Sequence, residues 1–330
     1  MTDRTGDSTT AGGHVSCGGV QSSRSRPYVQ AVNRHEFVDV ASISISAALS
    51  RNQRLFAHGL DSEPVGRAIE ASRASLDELR TVDAHDVTVE TFTGALEAGY
   101  LVRRWYGFDT PTVIYHHGSG EDPFDFGRFS SNSGARLFGV SAASFPVNLI
   151  VVRAPFHGRS SREYLRSMGS LSNFVGMVAA STTLVESLVR HLQTQGAADV
   201  VVSGLSLGGF VANLHRAFFD SATRYVPMLA GVALDELFVS SVYRKLVADV
   251  ARSQPETLRA ALNFEDAFAA VETANCAPVL ARYDRLVELE TQRPGYAGIP
   301  VTVFEKGHVT GALATETLRG QLDRALTEPS

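Results

Sequence analysis

The most constraining feature of the sequence is an apolar run that leads directly into a Gly-x-Ser-x-Gly motif. Residues 200–202, all valine, predict a buried strand, and Gly204-Leu205-Ser206-Leu207-Gly208 predicts a sharp turn into a helix. Glycine on either side of Ser206 suits such a turn because bulkier residues would not fit there. The turn lifts the serine hydroxyl clear of the sheet, and the following helix directs free N–H groups toward negative charge. The motif therefore predicts an α/β fold with an exposed nucleophile at Ser206.

A serine hydroxyl needs a base to become nucleophilic at neutral pH, and two histidines follow Ser206 in the chain. His215 would lie on the helix that begins at the turn, about two turns along it and away from the serine. His308 follows the strand-like segment 299–304 and precedes the last predicted helix. Because an open α/β sheet carries its chemistry at the carboxyl ends of its parallel strands, we predict that His308 is the base.

The acid that orients the histidine should follow a strand between these two residues. Residues 277–283 are typical of such a strand, and Asp284 stands at its carboxyl end. The separations between Ser206, Asp284 and His308 leave room for the helices that return the chain to one edge of the sheet. Asp235, which closes the apolar run 226–234, is the alternative acid. Either aspartate would otherwise serve as the N-cap of a helix.

These residues resemble the α/β-hydrolase superfamily, and within it the serine hydrolases, over roughly residues 85–325. The resemblance implies a catalytic triad of Ser206, Asp284 and His308 and a reaction that needs no cofactor. Some members of this fold take their acid from an earlier strand, so Asp235 stays open as the alternative. The motifs that carry the resemblance are residues 204–209, His116-His117-Gly118-Ser119-Gly120, Asp284 before a predicted helix, and Gly307-His308.

The same resemblance implies an oxyanion hole made of two backbone N–H groups. In the family, the residue after an early His-Gly and the residue after the nucleophile donate to the oxyanion, which implicates Ser119 and Leu207. Donors of this kind stabilise the charge of a tetrahedral intermediate. His116 and His117 are then expected to shape the loop rather than to transfer protons.

Eight extended segments alternate with helical stretches along the rest of the chain. The first two flank a glycine-bearing turn, which predicts an antiparallel start, and the later ones are nearly continuous apolar runs typical of parallel strands. A helix is predicted at residues 172–195. The expected architecture is an α/β-hydrolase fold, a mostly parallel eight-stranded sheet flanked by helices. The extended segments lie at about residues 86–92, 98–106, 111–116, 147–153, 199–203, 226–234, 277–283 and 299–304.

Three regions are expected along the chain. Residues 1–30, rich in Ser, Thr, Gly and Arg, predict a disordered tail. Residues 31–84 predict a helical N-terminal extension, and residues 85–330 the hydrolase domain. Within that domain, residues 236–276 are too long for a single crossover and predict a small helical cap over the pocket. Ordinary helices packed against the sheet are the alternative interpretation of that segment.

Composition narrows the functional classes further. A net charge of −5 argues against the basic surface with which proteins bind nucleic acid. No apolar run is long enough to span a membrane. The N-terminus has no apolar core of a secretory signal, so a cytoplasmic protein is expected. Cys17 and Cys276 imply no disulfide framework, and no metal-ligating motif is present. The glycines at 204, 208 and 209 do not have dinucleotide-binding spacing, so no cofactor is expected.

The sequence thus predicts a serine hydrolase that cleaves an ester, thioester or related acyl bond of a small-molecule substrate. An acyltransferase that passes the same acyl-enzyme to another acceptor is the enzymatic alternative. A non-catalytic binding or scaffold protein that kept the fold is the alternative from a different class. The oligomeric state and the substrate's identity are not predicted.

Overall fold

The computed structural model describes residues 33–50, 53–76, 78–81, 83–139, 146–158, 160–197 and 199–327. The chain from Asn33 onward forms one compact unit. The predicted disordered tail, residues 1–30, lies outside the described residues, as does Cys17.

A mostly parallel sheet forms the centre of this unit. In the described residues its nine strands are β1 (Arg73–Ala74), β2 (Ala84–Thr91), β3 (Gly94–Arg104), β4 (Thr112–His116), β5 (Asn148–Arg153), β6 (Val200–Leu205), β7 (Arg224–Met228), β8 (Val279–Ala281) and β9 (Thr302–Phe304). Their order across the sheet is β1-β2-β3-β5-β4-β6-β7-β8-β9. Pairing is antiparallel from β1 through β3 to β5 and parallel from β5 through β4 to β9. The predicted fold class is confirmed, with one more strand than expected, since two-residue β1 gives no sequence periodicity.

Helices cover both faces of the sheet. In the described residues they are α1 (Arg34–Leu49), α2 (Val65–Ala71), α3 (Ser133–Phe138), α4 (Ser161–Ser167), α5 (Leu171–Thr194), α6 (Leu207–Phe218), α7 (Leu234–Val239), α8 (Asp249–Arg252), α9 (Pro255–Leu262), α10 (Glu265–Ala269), α11 (Leu289–Gln292), α12 (His308–Ala312) and α13 (Thr315–Thr327). No helix of the described residues is both long enough and apolar enough to cross a bilayer.

The central strands are buried on both sides because successive side chains point to opposite faces. Ile114 of β4 belongs to a buried cluster with Leu184 and Leu188 of α5. Its neighbour Val113 belongs to a different cluster that includes Leu318 of α13. Val113 and Ile114, at successive positions, are therefore both buried, which explains why β4 carries consecutive hydrophobic residues rather than an alternating pattern.

The strand predicted at 226–234 is wrong in its second half. β7 ends at Met228, and Leu229 adopts a positive φ of 51°, which turns the chain out of the sheet. Residues 229–233 are buried although they are not strand, so hydrophobicity alone overextended the prediction.

The helical N-terminal extension is only partly helical. α1 and α2 are present, but α2 ends at Ala71, and Leu76 and Leu79 lie beyond it. Leu55 instead pairs with the segment after α7: its N–H donates to the Leu246 carbonyl at 3.0 Å, and Ala248 N–H donates to the Leu55 carbonyl at 2.9 Å.

That pairing also interrupts the stretch 239–250, in which Val239, Val242, Tyr243, Leu246 and Val250 have the spacing of a single amphipathic helix. α7 ends at Val239, and a short 3-10 helix runs from Val242 to Leu246 before α8 begins. Ser241 caps the 3-10 helix by accepting the Tyr243 N–H at 3.1 Å. Tertiary hydrogen bonds and a local cap thus outweigh the helical periodicity of this stretch.

Candidate active site

Ser206 stands at the turn between β6 and α6. Its backbone has φ 55° and ψ −110°, a strained conformation for a residue other than glycine. The turn is tied to the neighbouring strand because Ser206 N–H donates to the Met228 carbonyl at 2.8 Å. A Cβ at Gly204 would overlap the backbone of Gly208, and one at Gly208 would overlap the carbonyl of His116. Close backbone approach therefore explains both glycines of the motif.

His308 connects the serine to Asp284. Its Nε2 lies 3.0 Å from Ser206 Oγ, and its Nδ1 lies 2.7 Å from Asp284 Oδ2. With the Nδ1 proton donated to the carboxylate, Nε2 is free to accept the serine proton. The structure thus brings together the three residues that the sequence predicts, each from the carboxyl end of a different strand.

Asp284 is fixed as firmly as the histidine. Its Oδ1 accepts the Leu286 N–H at 2.8 Å and the Val287 N–H at 2.7 Å. Burial raises the pKa of Asp284, but these two donors and the His308 imidazole favour its ionised form. The carboxylate is therefore held in one orientation, with Oδ2 directed at His308.

The electrostatic surroundings of the His308 imidazole favour its protonated form. Burial alone would lower the pKa of His308, but the charge and hydrogen bond of Asp284, together with the charge of Asp39, outweigh it. The pKa of His308 consequently lies above its usual value of 6.5. A raised pKa makes the imidazole a stronger proton acceptor for the serine.

Asp235, the alternative acid, and His215, the other histidine after Ser206, take no part in this hydrogen-bonded series. Asp235 falls in the first turn of α7 because the chain leaves the sheet after β7, and His308 Nδ1 is already bonded to Asp284. His215 is fully buried in α6, where its ring nitrogens lie 3.0 Å from Tyr225 Oη and 3.1 Å from Glu186 Oε2. Neither residue is hydrogen-bonded to Ser206 or His308.

The loop after β4 brings Ser119 to the cavity that Ser206 also lines. Gly118 N–H donates to Glu121 Oε2 at 3.3 Å, Glu121 N–H to the Gly118 carbonyl at 3.4 Å, and Gly120 N–H to His157 Nε2 at 3.0 Å. The Ser119 N–H, between these occupied donors, has no partner among the described residues, and neither does the Leu207 N–H at the start of α6. Two unused donors therefore line the cavity next to Ser206.

Buried histidines hold this loop in place. His116 Nδ1 donates to the His117 carbonyl at 3.0 Å, and His117 Nδ1 donates to the Gly118 carbonyl at 2.6 Å. His117 Nε2 in turn accepts the Ala154 N–H at 3.1 Å. Burial lowers the pKa of His116 to about 3 and that of His157 to about 4, so both are neutral near pH 7. Their hydrogen bonds are those of loop-shaping residues.

A cavity of about 250 Å³ lies at Ser206 and His308. Its polar edge holds Ser206, Ser119 and Tyr164, and the Tyr164 hydroxyl lies 2.6 Å from Ser119 Oγ. The remaining wall is largely apolar and comes from the N-terminal extension, α5, α6, α7 and the segment after β8. Among these apolar residues are Leu55, Phe174, Phe210, Leu234, Phe238 and Leu286.

Asp39 of α1 is the residue of this site that the sequence analysis missed. Its buried carboxylate accepts the backbone N–H groups of His308 and Val309 at 2.7 and 2.9 Å. A signal was present, because Asp39 shares the buried face of α1 with Ile43 and Ala47. An aspartate at a core position of an amphipathic helix indicates a specific buried partner.

In the described part of the chain, no group of three or more His, Cys, Asp or Glu residues is arranged to hold a metal ion.

Comparison with known proteins agrees with this architecture. Residues 143–293, somewhat less than half of the chain, match the family described as "Alpha/beta hydrolase domain containing 18". A protein from Agrobacterium vitis S4 named "Putative hydrolase" is 18% identical, with a TM-score of 0.50, and the match covers 76% of this chain and all of that one.

Two further structures are more distant in shape. Acetyl xylan esterase 1 from Thermoanaerobacterium sp. is 14% identical with a TM-score of 0.47, over 83% of this chain and 98% of that one. The esterase Pf2001 from Pyrococcus furiosus is 15% identical with a TM-score of 0.48, over 81% of this chain and 98% of that one. No curated protein matches the sequence significantly.

Proposed function

We propose that the chain is a serine hydrolase of the α/β-hydrolase superfamily and that it cleaves an acyl bond through Ser206. The supporting observation is the hydrogen-bonded series from Ser206 Oγ through the His308 imidazole to Asp284 Oδ2. In this arrangement the serine is activated by an adjacent base that a carboxylate orients. The substrate class is an ester, thioester or related acyl compound.

The first half of the reaction acylates the serine. Ser206 Oγ attacks the carbonyl carbon as His308 Nε2 takes its proton, and the carbonyl oxygen becomes an oxyanion. In this proposal the free N–H groups of Ser119 and Leu207 donate hydrogen bonds to that oxygen and stabilise its charge. Asp284 stabilises the imidazolium that forms, and collapse of the intermediate releases the alcohol or thiol with the proton from His308.

The second half of the reaction hydrolyses the acyl-enzyme. Water enters where the first product left, and His308 removes its proton as the oxygen attacks the acyl carbon. The second oxyanion accepts hydrogen bonds from the same two N–H groups. Collapse returns the proton to Ser206 and releases the carboxylic acid, so the enzyme is restored without a cofactor.

The cavity favours a small apolar acyl group. Its volume, about 250 Å³, lies somewhat below the usual range for sites that enclose drug-sized ligands. Apolar side chains form most of its wall, so a charged acyl group would lose hydration without gaining a partner. The segment at 236–276 acts as the cap in this proposal, because Leu237, Phe238 and Tyr243 close one side of the cavity.

Acyl length should control the rate of ester hydrolysis. With p-nitrophenyl esters that share one leaving group, we expect kcat/KM to be highest for acyl chains of about two to six carbons and at least about tenfold lower for dodecanoyl esters. A succinyl ester serves as the charged control of comparable length and should be slow. Equal rates across the series would contradict acyl binding in this cavity.

The pH dependence should follow His308. Protonated imidazole cannot accept the serine proton, so kcat/KM should fall as the pH drops through the pKa of His308. Since that pKa is raised, the midpoint of the fall should lie above 6.5. Measuring kcat/KM from about pH 5 to pH 9, with unfolding monitored at each pH, tests this expectation. A midpoint clearly below 6.5 in folded protein would contradict the assigned partners of His308.

The fate of the acyl group distinguishes a hydrolase from the alternative, an acyltransferase. Adding an alcohol or amine acceptor to the ester assay gives mostly free acid from a hydrolase and mostly the new ester or amide from a transferase. A protein that neither hydrolyses nor transfers any acyl group would fit the scaffold alternative.

A further inference from the structure

The carboxylate of Asp39 joins the two loops that carry His308 and Asp284. Asp39 lies on α1 and is fully buried. Its Oδ2 accepts the His308 N–H at 2.7 Å and the Arg285 N–H at 3.1 Å, and its Oδ1 accepts the Val309 N–H at 2.9 Å. No lysine or arginine among the described residues forms an ion pair with it. Backbone N–H groups alone stabilise this buried charge.

The sequence around His308 explains why an outside carboxylate is needed. α12 begins at His308, and the residue before it is Gly307, which has no side chain to cap the helix. The first N–H groups of a helix lack intrahelical partners, and an aspartate oxygen is among the best acceptors for them. Asp39 supplies that cap from 269 positions away in the chain.

The contact of Asp39 with the backbone at His308 leaves no space between α1 and residues 305–310, which form the histidine loop. A Cβ at Gly307 would lie 2.7 Å from Asp39 Oδ2 and 2.9 Å from the His35 carbonyl oxygen. A second bond links the same elements, because His35 Nδ1 lies 2.9 Å from Thr310 Oγ1. α1 therefore holds the loop at two points, the backbone N–H groups of His308 and Val309 and the hydroxyl of Thr310.

Asp39 also acts on His308 through its charge. The Asp284 and Asp39 carboxylates both raise the pKa of His308, against the effect of burial. The loss of one carboxylate should therefore lower that pKa. The other titratable or charged groups of the adjoining elements include Arg34, His35 and Glu36 on α1, Glu305 and Lys306 before α12, Arg282, Tyr283, Arg285 and Glu288 after β8, and Glu121 at the cavity.

We propose that Asp39 is a positioning residue for the active site and that α1 is thereby part of the catalytic apparatus. This inference rests on the proposed hydrolase function. Asp39 holds the backbone at His308 and at Arg285, the residue after Asp284, so it sets the distance between base and acid. Because small displacements of catalytic groups cost large factors in rate, this bond should matter for kcat rather than for substrate binding.

The first test replaces the carboxylate with an amide of the same shape. Asp39→Asn removes the charge and turns one acceptor into a donor that opposes a backbone N–H. We expect kcat for a p-nitrophenyl ester to fall by about ten- to hundredfold with little change in KM. The acid limb of kcat/KM should move to lower pH, because the pKa of His308 falls. A loss of activity through unfolding alone would not move that limb.

The matched control is Ser44→Ala on the same helix. Ser44 Oγ accepts a hydrogen bond from Lys245 Nζ at 3.0 Å, an exposed contact away from the histidine loop. This variant should keep the wild-type kcat and pH profile. Thermal melting of each variant shows whether the loss in Asp39→Asn exceeds its unfolded fraction.

A second variant moves the loop and keeps the charge. Gly307→Ala places a methyl group against Asp39 and should lower kcat while it keeps the Asp39 side chain, so its acid limb should move less than that of Asp39→Asn. Gly320→Ala in α13, where a Cβ meets open space, is its control and should be neutral. If Asp39→Asn does not fold, the comparison of these two glycine variants decides the question.

Two outcomes would overturn the inference. Wild-type kcat in folded Asp39→Asn would show that Asp39 does not position the base. Equal activity of Gly307→Ala and Gly320→Ala would show that the α1 contact is not needed for catalysis. Failure of the proposed function is distinguishable from both, since the wild-type protein itself would then lack esterase activity.

Discussion

Ser206→Ala is expected to lower kcat for ester hydrolysis by about six orders of magnitude, the largest effect of any substitution considered. The variant keeps the cavity and the oxyanion donors but has no oxygen to attack the carbonyl. Because the hydroxyl lies at the turn rather than in the core, the fold should persist, and melting should stay cooperative.

The control for this variant is a serine with no link to the site. Ser240 is exposed at the end of α7, where its hydroxyl donates only to the Glu236 carbonyl at 3.1 Å. Ser240→Ala should keep full activity. If Ser206→Ala retained more than about one percent of wild-type kcat, another nucleophile would have to be sought.

Asp284→Asn should give the second largest effect, a fall in kcat of about ten thousandfold. The asparagine oxygen would keep the bonds from Leu286 and Val287, which leaves the amide nitrogen facing His308 Nδ1. A nitrogen donor there forces the imidazole proton onto Nε2, and Nε2 then cannot accept the serine proton. The geometry would survive while the base is lost.

Asp235→Asn is the matched control, since Asp235 is also buried and also followed an apolar run in the sequence. It should retain most of the activity. Loss of activity in Asp235→Asn together with retained activity in Asp284→Asn would reverse the assignment of the acid. Comparing kcat of the two variants at one pH and temperature checks this directly.

Local sequence patterns predicted the parts of the site that depend on local geometry. Gly204 and Gly208 predicted the turn at Ser206, because only glycine permits the close backbone contacts found there. The positions of Asp284 and His308 followed from strand ends, since parallel strands deliver their carboxyl ends to one edge of a sheet. Such signals are contained within about ten neighbouring residues, which is why they could be read from the sequence.

Contacts between distant segments were not predictable in the same way. The bond from Asp39 to His308 depends on how α1 packs against α12, and no local pattern specifies that pairing. The pairing of Leu55 with residues 246–248 interrupts the stretch 239–250, where the spacing of apolar residues favours a single helix. The end of β7 was predicted too late for a related reason, because buried residues outside a sheet are as hydrophobic as those within it.

The central claim is that Ser206 is a nucleophile activated by His308, and covalent labelling tests it most directly. Wild-type protein, Ser206→Ala and Ser240→Ala would each be treated with a fluorophosphonate, and the adduct located by mass spectrometry of the peptides. We expect one adduct, on Ser206, in the wild type and in Ser240→Ala, and none in Ser206→Ala. Folded wild-type protein that stays unlabelled, or an adduct on any other residue, would contradict the central claim.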